Sequence, residues 1–124
     1  MDDAKIAETE RIEADCEARV EAAERKLAAV KRGSRLTMAR WADRAAELAE
    51  AELASHELWA EAEAAGAIDG PDPLDYEAAI VALSTARKLA FFLRYIGAEP
   101  PAEWKATLDK WLDDRGAGGS DHAG

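Results

Sequence analysis

VKRGSRLTMAR, residues 30–40, separates two long stretches, 2–32 and 35–65, that contain neither glycine nor proline. Inside a helix glycine costs about 1 kcal/mol relative to alanine, and a serine hydroxyl readily accepts from backbone N–H groups one turn on. Gly33–Ser34 therefore reads as a helix break followed by an N-cap. The sequence predicts one helix from Asp2 to Arg32 and a second from the Ser34 cap to about Ala65, stopped by Gly66. A chain broken at this point either folds helix 1 back or pairs it with a second copy.

Composition agrees with helices. Alanine supplies 30 of the 124 residues, half of all the hydrophobic ones, and Glu, Leu, Arg and Lys surround it. Alanine loses no side-chain entropy in a helix and straight chains lose little, whereas valine occurs only three times and no alternating β-branched run suggests a strand. The length fits one compact domain with an appendage. A core built so largely from alanine must be thin, with helices that approach closely.

Helix 1 carries a narrow stripe at Ile12, Cys16, Val20, Leu27 and Val30, with Ala23 filling a gap. From Ile12 the steps are 4, 4, 3, 4 and 3, so the second half follows a heptad and the first is out of phase by a stutter. These are too few heptads for a stable coiled coil. The stripe is nonetheless the expected contact for fold-back or homo-oligomerisation.

Projection of helix 2 at 100° per residue places Met38, Trp41, Ala45, Leu48, Glu52, His56 and Trp59 on one face. Asp43, Glu47, Glu50, Glu57 and Glu61 lie opposite. Beyond the turn-rich GAIDGPDPLD, Asp72 is a predicted N-cap with Pro73 at the first helical position. A third helix then runs to about Ile96, and its end, LAFFLRYIG, is apolar on nearly every side, which predicts the central, most buried element. After AEPP a fourth helix carries Trp104, Leu108, Trp111 and Leu112 on one side and ends at Gly116.

The expected architecture is thus all-α, a small bundle of about three helices with a long amphipathic N-terminal helix. Its parts are an N-terminal helix over 1–32, a compact helical domain over 33–115 and a disordered tail over 116–124.

Charge is sorted along the chain. Residues 1–24 hold nine acids and three bases, and residues 25–44 hold seven bases (Arg25, Lys26, Lys31, Arg32, Arg35, Arg40, Arg44) and one acid. Residues 45–77 hold ten acids and no base, and the formal net charge of the chain is -10. Such blocks either neutralise one another within the fold or meet a charged partner. A phosphate partner for the basic stretch is disfavoured by the acidic block that follows directly.

The acidic stripe invites comparison with nucleic acid. Five carboxylates over a rise of about 27 Å give one charge per roughly 5 Å, against about 1.7 Å along duplex DNA. A full mimic needs the acids of helix 1 brought alongside.

No segment predicts a catalytic or cofactor site. Glu52 and His56 lie one turn apart, with Glu63 beyond, and mutual satisfaction of Glu52 and His56 is the simpler use than a metal. HELWA begins like His-Glu-x-x-His but has Ala60 where the second ligand belongs, and DGPDPLDYE lacks EF-hand spacing. Cys16, beside Glu13 and Glu17, is expected to have a raised thiol pKa and to be inert. The four tryptophans, Trp41, Trp59, Trp104 and Trp111, are expected in the core, with helix 4 the element most suited to dock on a partner.

A single cysteine, an acidic MDDAKIAETE start unlike a signal peptide and no apolar run of membrane length point to a cytoplasmic chain without membrane contact. The expected function is non-enzymatic, that of an interaction or adaptor protein with a protein partner and a homo-oligomeric state. It would act through helix 1 and the charged blocks, without cofactor or metal. The alternatives are an acidic inhibitor of a nucleic-acid-binding machine, of the anti-restriction or anti-CRISPR kind, and an oligomeric packaging factor using residues 25–44.

Overall fold

The computed structural model describes residues 3–66 and 72–120. They form four helices, α1 (Asp3–Ala28), α2 (Arg35–Ala64), α3 (Pro73–Tyr95) and α4 (Ala102–Ser120), with no strand among the described residues. The chain is all-α, with the long N-terminal helix and three further helices. Neighbouring helices run antiparallel: Glu13 of α1 meets Ser55 of α2, while Asp43 and Glu50 of α2 meet Arg94 and Arg87 of α3.

The local signals lie where the sequence puts them. Ser34 caps α2 through a reciprocal box in which its side chain accepts from the Thr37 N–H and Thr37 returns a bond to the Ser34 N–H at 2.9 Å. Gly66 has φ of +96°, a backbone state that a side chain disfavours, and its N–H reaches the Glu63 carbonyl to close α2. The Asp72 carboxylate accepts from the Leu74 N–H at 2.8 Å with Pro73 at the start of α3. Most of the turn-rich stretch before it, 67–71, lies outside the described residues. Helix α1 stops at Ala28, short of Arg32, and the four residues before Gly33 are already non-helical or turn. Helix α4 runs past Gly116 to Ser120, since glycine weakens a helix but, unlike proline, leaves its N–H to bond. The rest of the tail, 121–124, lies outside the described residues.

One hydrophobic cluster spans all four helices, so α1 shares the core of the rest. It joins Ala23 and Leu27 of α1, Trp41, Ala42, Ala45, Leu48 and Ala49 of α2, Ala82, Ala86 and Leu89 of α3, and Leu108 and Trp111 of α4. Leu48, Leu89 and Leu108 are the largest side chains wholly removed from water.

The centre of the fold is α2, where the sequence suggested α3. Both α1 and α3 pack on α2, whose Ala39, Ala42, Ala45, Ala49 and Ala51 are buried. Alanine rows let two neighbours approach one helix from both sides at once. The bulky end of α3 instead faces two ways: Leu89 and Leu93 are buried while Phe91, Tyr95 and Ile96 are exposed.

Candidate interaction surfaces

The seven bases of residues 25–44 do not form one open patch. Arg35 reaches 57 to 63 residues along the chain to the end of α3, where its Nε donates to the Leu93 carbonyl at 3.0 Å. Its Nη2 donates to the carbonyls of Phe92 (3.2 Å), Ala98 (3.0 Å) and Ile96. A planar guanidinium thus gathers the carbonyls at and just beyond the end of α3, of which that of Phe92 also accepts from the Ile96 N–H at 2.9 Å. Arg32 lies over the Trp41 ring at 4.6 Å and binds Asp109 of α4 at 2.9 Å. Arg44 pairs with Glu47 at 2.9 Å. Arg25, Lys26, Lys31 and Arg40 are exposed.

The acidic stripe is likewise divided. Asp43 takes a two-pronged bond from Arg94, at 3.0 and 2.5 Å, and Glu50 binds Arg87 at 2.5 Å. Asp43 holds the Arg94 guanidinium above its ordinary pKa, partly offset by burial. Glu47 is taken by Arg44 within α2, and of the stripe Glu57 and Glu61 are exposed in the C-terminal half of that helix, as is Glu63 beside them. The α3 bases were the partners that sequence reasoning missed. A signal existed: Asp43 and Glu50 are seven residues apart, as are Arg87 and Arg94, which matches two antiparallel helices.

The up-and-down topology also gathers the charge blocks by end. The acidic first half of α1, the acidic second half of α2 and the start of α3, residues 72–77, share one end of the molecule. The basic stretch and Arg87, Lys88 and Arg94 lie toward the other. This is the arrangement that brings the acids of α1 alongside Glu57 and Glu61.

The stripe of α1 is split. Leu27 is buried, and Val20 and Val30 pack against the core at half exposure, so these three contact the chain's own α2–α4. Ile12 is exposed and Cys16 half-buried. Burial first, then Glu13, push the Cys16 thiol up against the opposing pull of Arg19.

Glu52 and His56 do not satisfy one another. Glu52 pairs with Arg115 of α4, whose guanidinium also reaches Glu24 of α1 at 3.3 Å, while His56 stacks on Tyr76 with ring centroids 5.9 Å apart. Glu13 accepts from the Ser55 hydroxyl at 2.9 and 2.8 Å. Glu52, Ser55, His56 and Arg115 border an open cleft of about 960 Å³ that Val20, Val81, Ala82 and Trp111 also line. Among the described residues no group of three His, Cys, Asp or Glu side chains is placed to hold a metal ion. Likewise no helix there is long and apolar enough to cross a membrane.

Trp41 and Trp111 are buried, and Trp59 and Trp104 are half-buried. Trp104 meets Phe92 edge-on at 5.6 Å and takes Lys88 over its ring at 5.8 Å. Helix α4 is therefore fastened to the bundle on several sides.

The surface that stands out is the outward face of α3. Ile80 is 47% exposed, Val81 51%, Phe91 59% and Tyr95 71%, and the last two rings touch at 5.0 Å between centroids. Scattered apolar residues are ordinary on a surface, but here they fall as two pairs on one helix, Ile80–Val81 and Phe91–Tyr95, about 15 Å apart with exposed Ser84, Arg87 and Lys88 between them. The ion pairs Asp43–Arg94 and Glu50–Arg87 run along its α2 side.

No family model, curated protein or solved structure matches the chain.

Proposed function

We propose that the protein is a non-enzymatic interaction module that docks a protein partner on the outward face of α3. The exposed and touching Phe91 and Tyr95 rings, with Ile80 and Val81 exposed further toward the start of the same helix, carry this reading. Exposed aromatic side chains beside charged groups are features of a binding patch, in which a few aromatic anchors supply most of the energy. Phe91 and Tyr95 are the anchors, and the Arg87 and Arg94 ion pairs adjoin them.

Capture experiments with the full-length chain, from extracts of the cell that encodes it, test the proposal. Phe91→Asp abolishes capture of the specific partner, whereas Glu57→Gln/Glu61→Gln leaves it unchanged. Capture that survives Phe91→Asp and Tyr95→Asp together overturns the reading.

One observation favours the inhibitor as a second reading. The fold sets the exposed Glu10 and Glu17 of α1 at the same end as Glu57 and Glu61 of α2, which raises the density of negative charge above that of α2 alone. Under that reading, changing these four residues to glutamine releases a nucleic-acid-binding target, and Phe91→Asp does not.

A further inference from the structure

We propose that the outward face of α3 pairs with the same face of a second copy of this chain, antiparallel, in a two-fold homodimer. The dimer rests on that face being a docking surface and names its occupant.

Glu77, Ile80, Ser84, Arg87, Phe91 and Arg94 follow one another at steps of 3, 4, 3, 4 and 3, and all six are exposed. The spacing is that of a two-stranded coiled-coil seam over a rise of about 26 Å, with Ile80 and Phe91 its apolar positions and Glu77, Ser84, Arg87 and Arg94 its polar ones. Buried positions of α3, among them Ala79, Ala82, Ala86, Leu89 and Leu93, face the core from the other side. The helix therefore has two packing faces, and its own chain covers one.

The order of residues along the seam selects the occupant. Turned about a two-fold axis between Thr85 and Ala86, the seam sets Ile80 opposite the partner's Phe91 and Ser84 opposite the partner's Arg87. Glu77 then lies opposite the partner's Arg94. Apolar thus meets apolar on both sides of a polar centre, where Ser84 faces an Arg87 whose guanidinium is held by Glu50 of its own chain, and each end closes on opposite charge. A parallel pair would instead stack Glu77 on Glu77, Arg87 on Arg87 and Arg94 on Arg94, and like charges held together disfavour that alignment.

The rest of the molecule agrees. Asp43 and Glu50 hold Arg94 and Arg87 in place, and Asp43 occupies only two of the guanidinium's five donors, leaving others for Glu77. Tyr95 and Val81 flank the seam and add apolar area. Because charge is sorted by end, antiparallel copies also lay the acidic end of one bundle beside the basic end of the other.

Sedimentation of the full chain gives the mass. The dimer requires twice 13.4 kDa at micromolar concentration, reduced to a single chain by Phe91→Asp and shifted toward monomer by Glu77→Arg. Circular dichroism checks that both variants remain helical, as expected for exposed positions.

Disulfide trapping in a Cys16→Ser background gives the orientation. A chain with Ile80→Cys cross-links to one with Phe91→Cys, but neither cross-links to itself, since identical positions lie about 16 Å apart along the axis. Self-linking of Ile80→Cys overturns the antiparallel pair.

A wild-type chain that stays monomeric throughout overturns the dimer. If Phe91→Asp still abolishes partner capture in that monomer, the docking face stands with a different occupant. If it does not, both fall.

Discussion

Arg35 closes α3 by donating to four carbonyls at its end, so its loss leaves several acceptors to water at once. Arg35→Ala should cost about 1.5–2 kcal/mol in urea unfolding, the low end of the range for hydrogen bonds to charged groups because Arg35 is exposed. Arg35→Lys should recover less than half, because one ammonium cannot span the same fork. Asp109 makes a pH-dependent contribution. Burial raises its pKa, but bonds from Lys105 and Arg32 outweigh that and hold it below the ordinary value of 3.8. Its stabilisation is therefore complete above that value and lost as pH falls through the lowered folded value. Asp109→Asn should cost about 0.5–1 kcal/mol at pH 7, given its partial exposure, and nothing once wild-type Asp109 is protonated. Urea titrations of both chains across that range check it, and a difference that persists in strong acid would sink the attribution. The role of Arg35 is not visible in sequence, where it is one base in a basic run, and of the two bases on Asp109 only Lys105, one turn away, is. Only the fold supplies partners 57 to 77 residues away.

At the scale of elements, the caps were legible because they are local chemistry: Ser34 with Thr37, Asp72 with Pro73 and the left-handed Gly66 each act within a few residues. The choice of central helix was not. Hydropathy weighs side chains by size, so LAFFLRYIG outranks the alanines of α2, yet close approach favours the smaller residues at a helix with two neighbours. The difference is measurable. Leu48→Ala should cost about 2–5 kcal/mol and Ala45→Leu about 1–3 kcal/mol, as a cavity and an overpacked contact respectively. At concentrations low enough to keep the chain monomeric, Phe91→Ala should cost less than about 0.5 kcal/mol because its ring then faces water. A central α3 requires the reverse order, with Phe91→Ala among the most damaging changes. The same reasoning explains why the outward face of α3 went unseen: the sequence assigned Phe91 and Tyr95 to a core, and only burial separates the two faces of an all-round apolar helix.

Across the whole molecule, antiparallel topology turns a linear sequence of charge blocks into two ends of opposite character, with unequal stability. Residues 3–16 of α1 carry five acids and two bases and lie along the half of α2 that holds Glu52, Glu57, Glu61 and Glu63. The buried contacts at this end are modest: beyond Ala51, Thr9 and Ala62 are the described residues of those two segments removed from water. The Glu13–Ser55 bonds help to hold the segment down. Repulsion here is therefore set against little apolar area, and α1 should open from its N-terminal half before the Leu27 end. Salt separates this from ordinary fraying. Raising NaCl from about 0.1 to 1 M shortens the screening length from about 10 to 3 Å, which weakens repulsion between exposed carboxylates while leaving buried contacts unchanged. Amide hydrogen exchange on the Phe91→Asp chain, where dimerisation does not contribute, should show protection of residues 3–16 rising with salt, by roughly fivefold for each 1 kcal/mol of repulsion removed. Protection of residues 39–51 should hold constant. A fall in protection over 3–16 at high salt means that net attraction between the charges of α1 and α2 governs this end of the molecule instead.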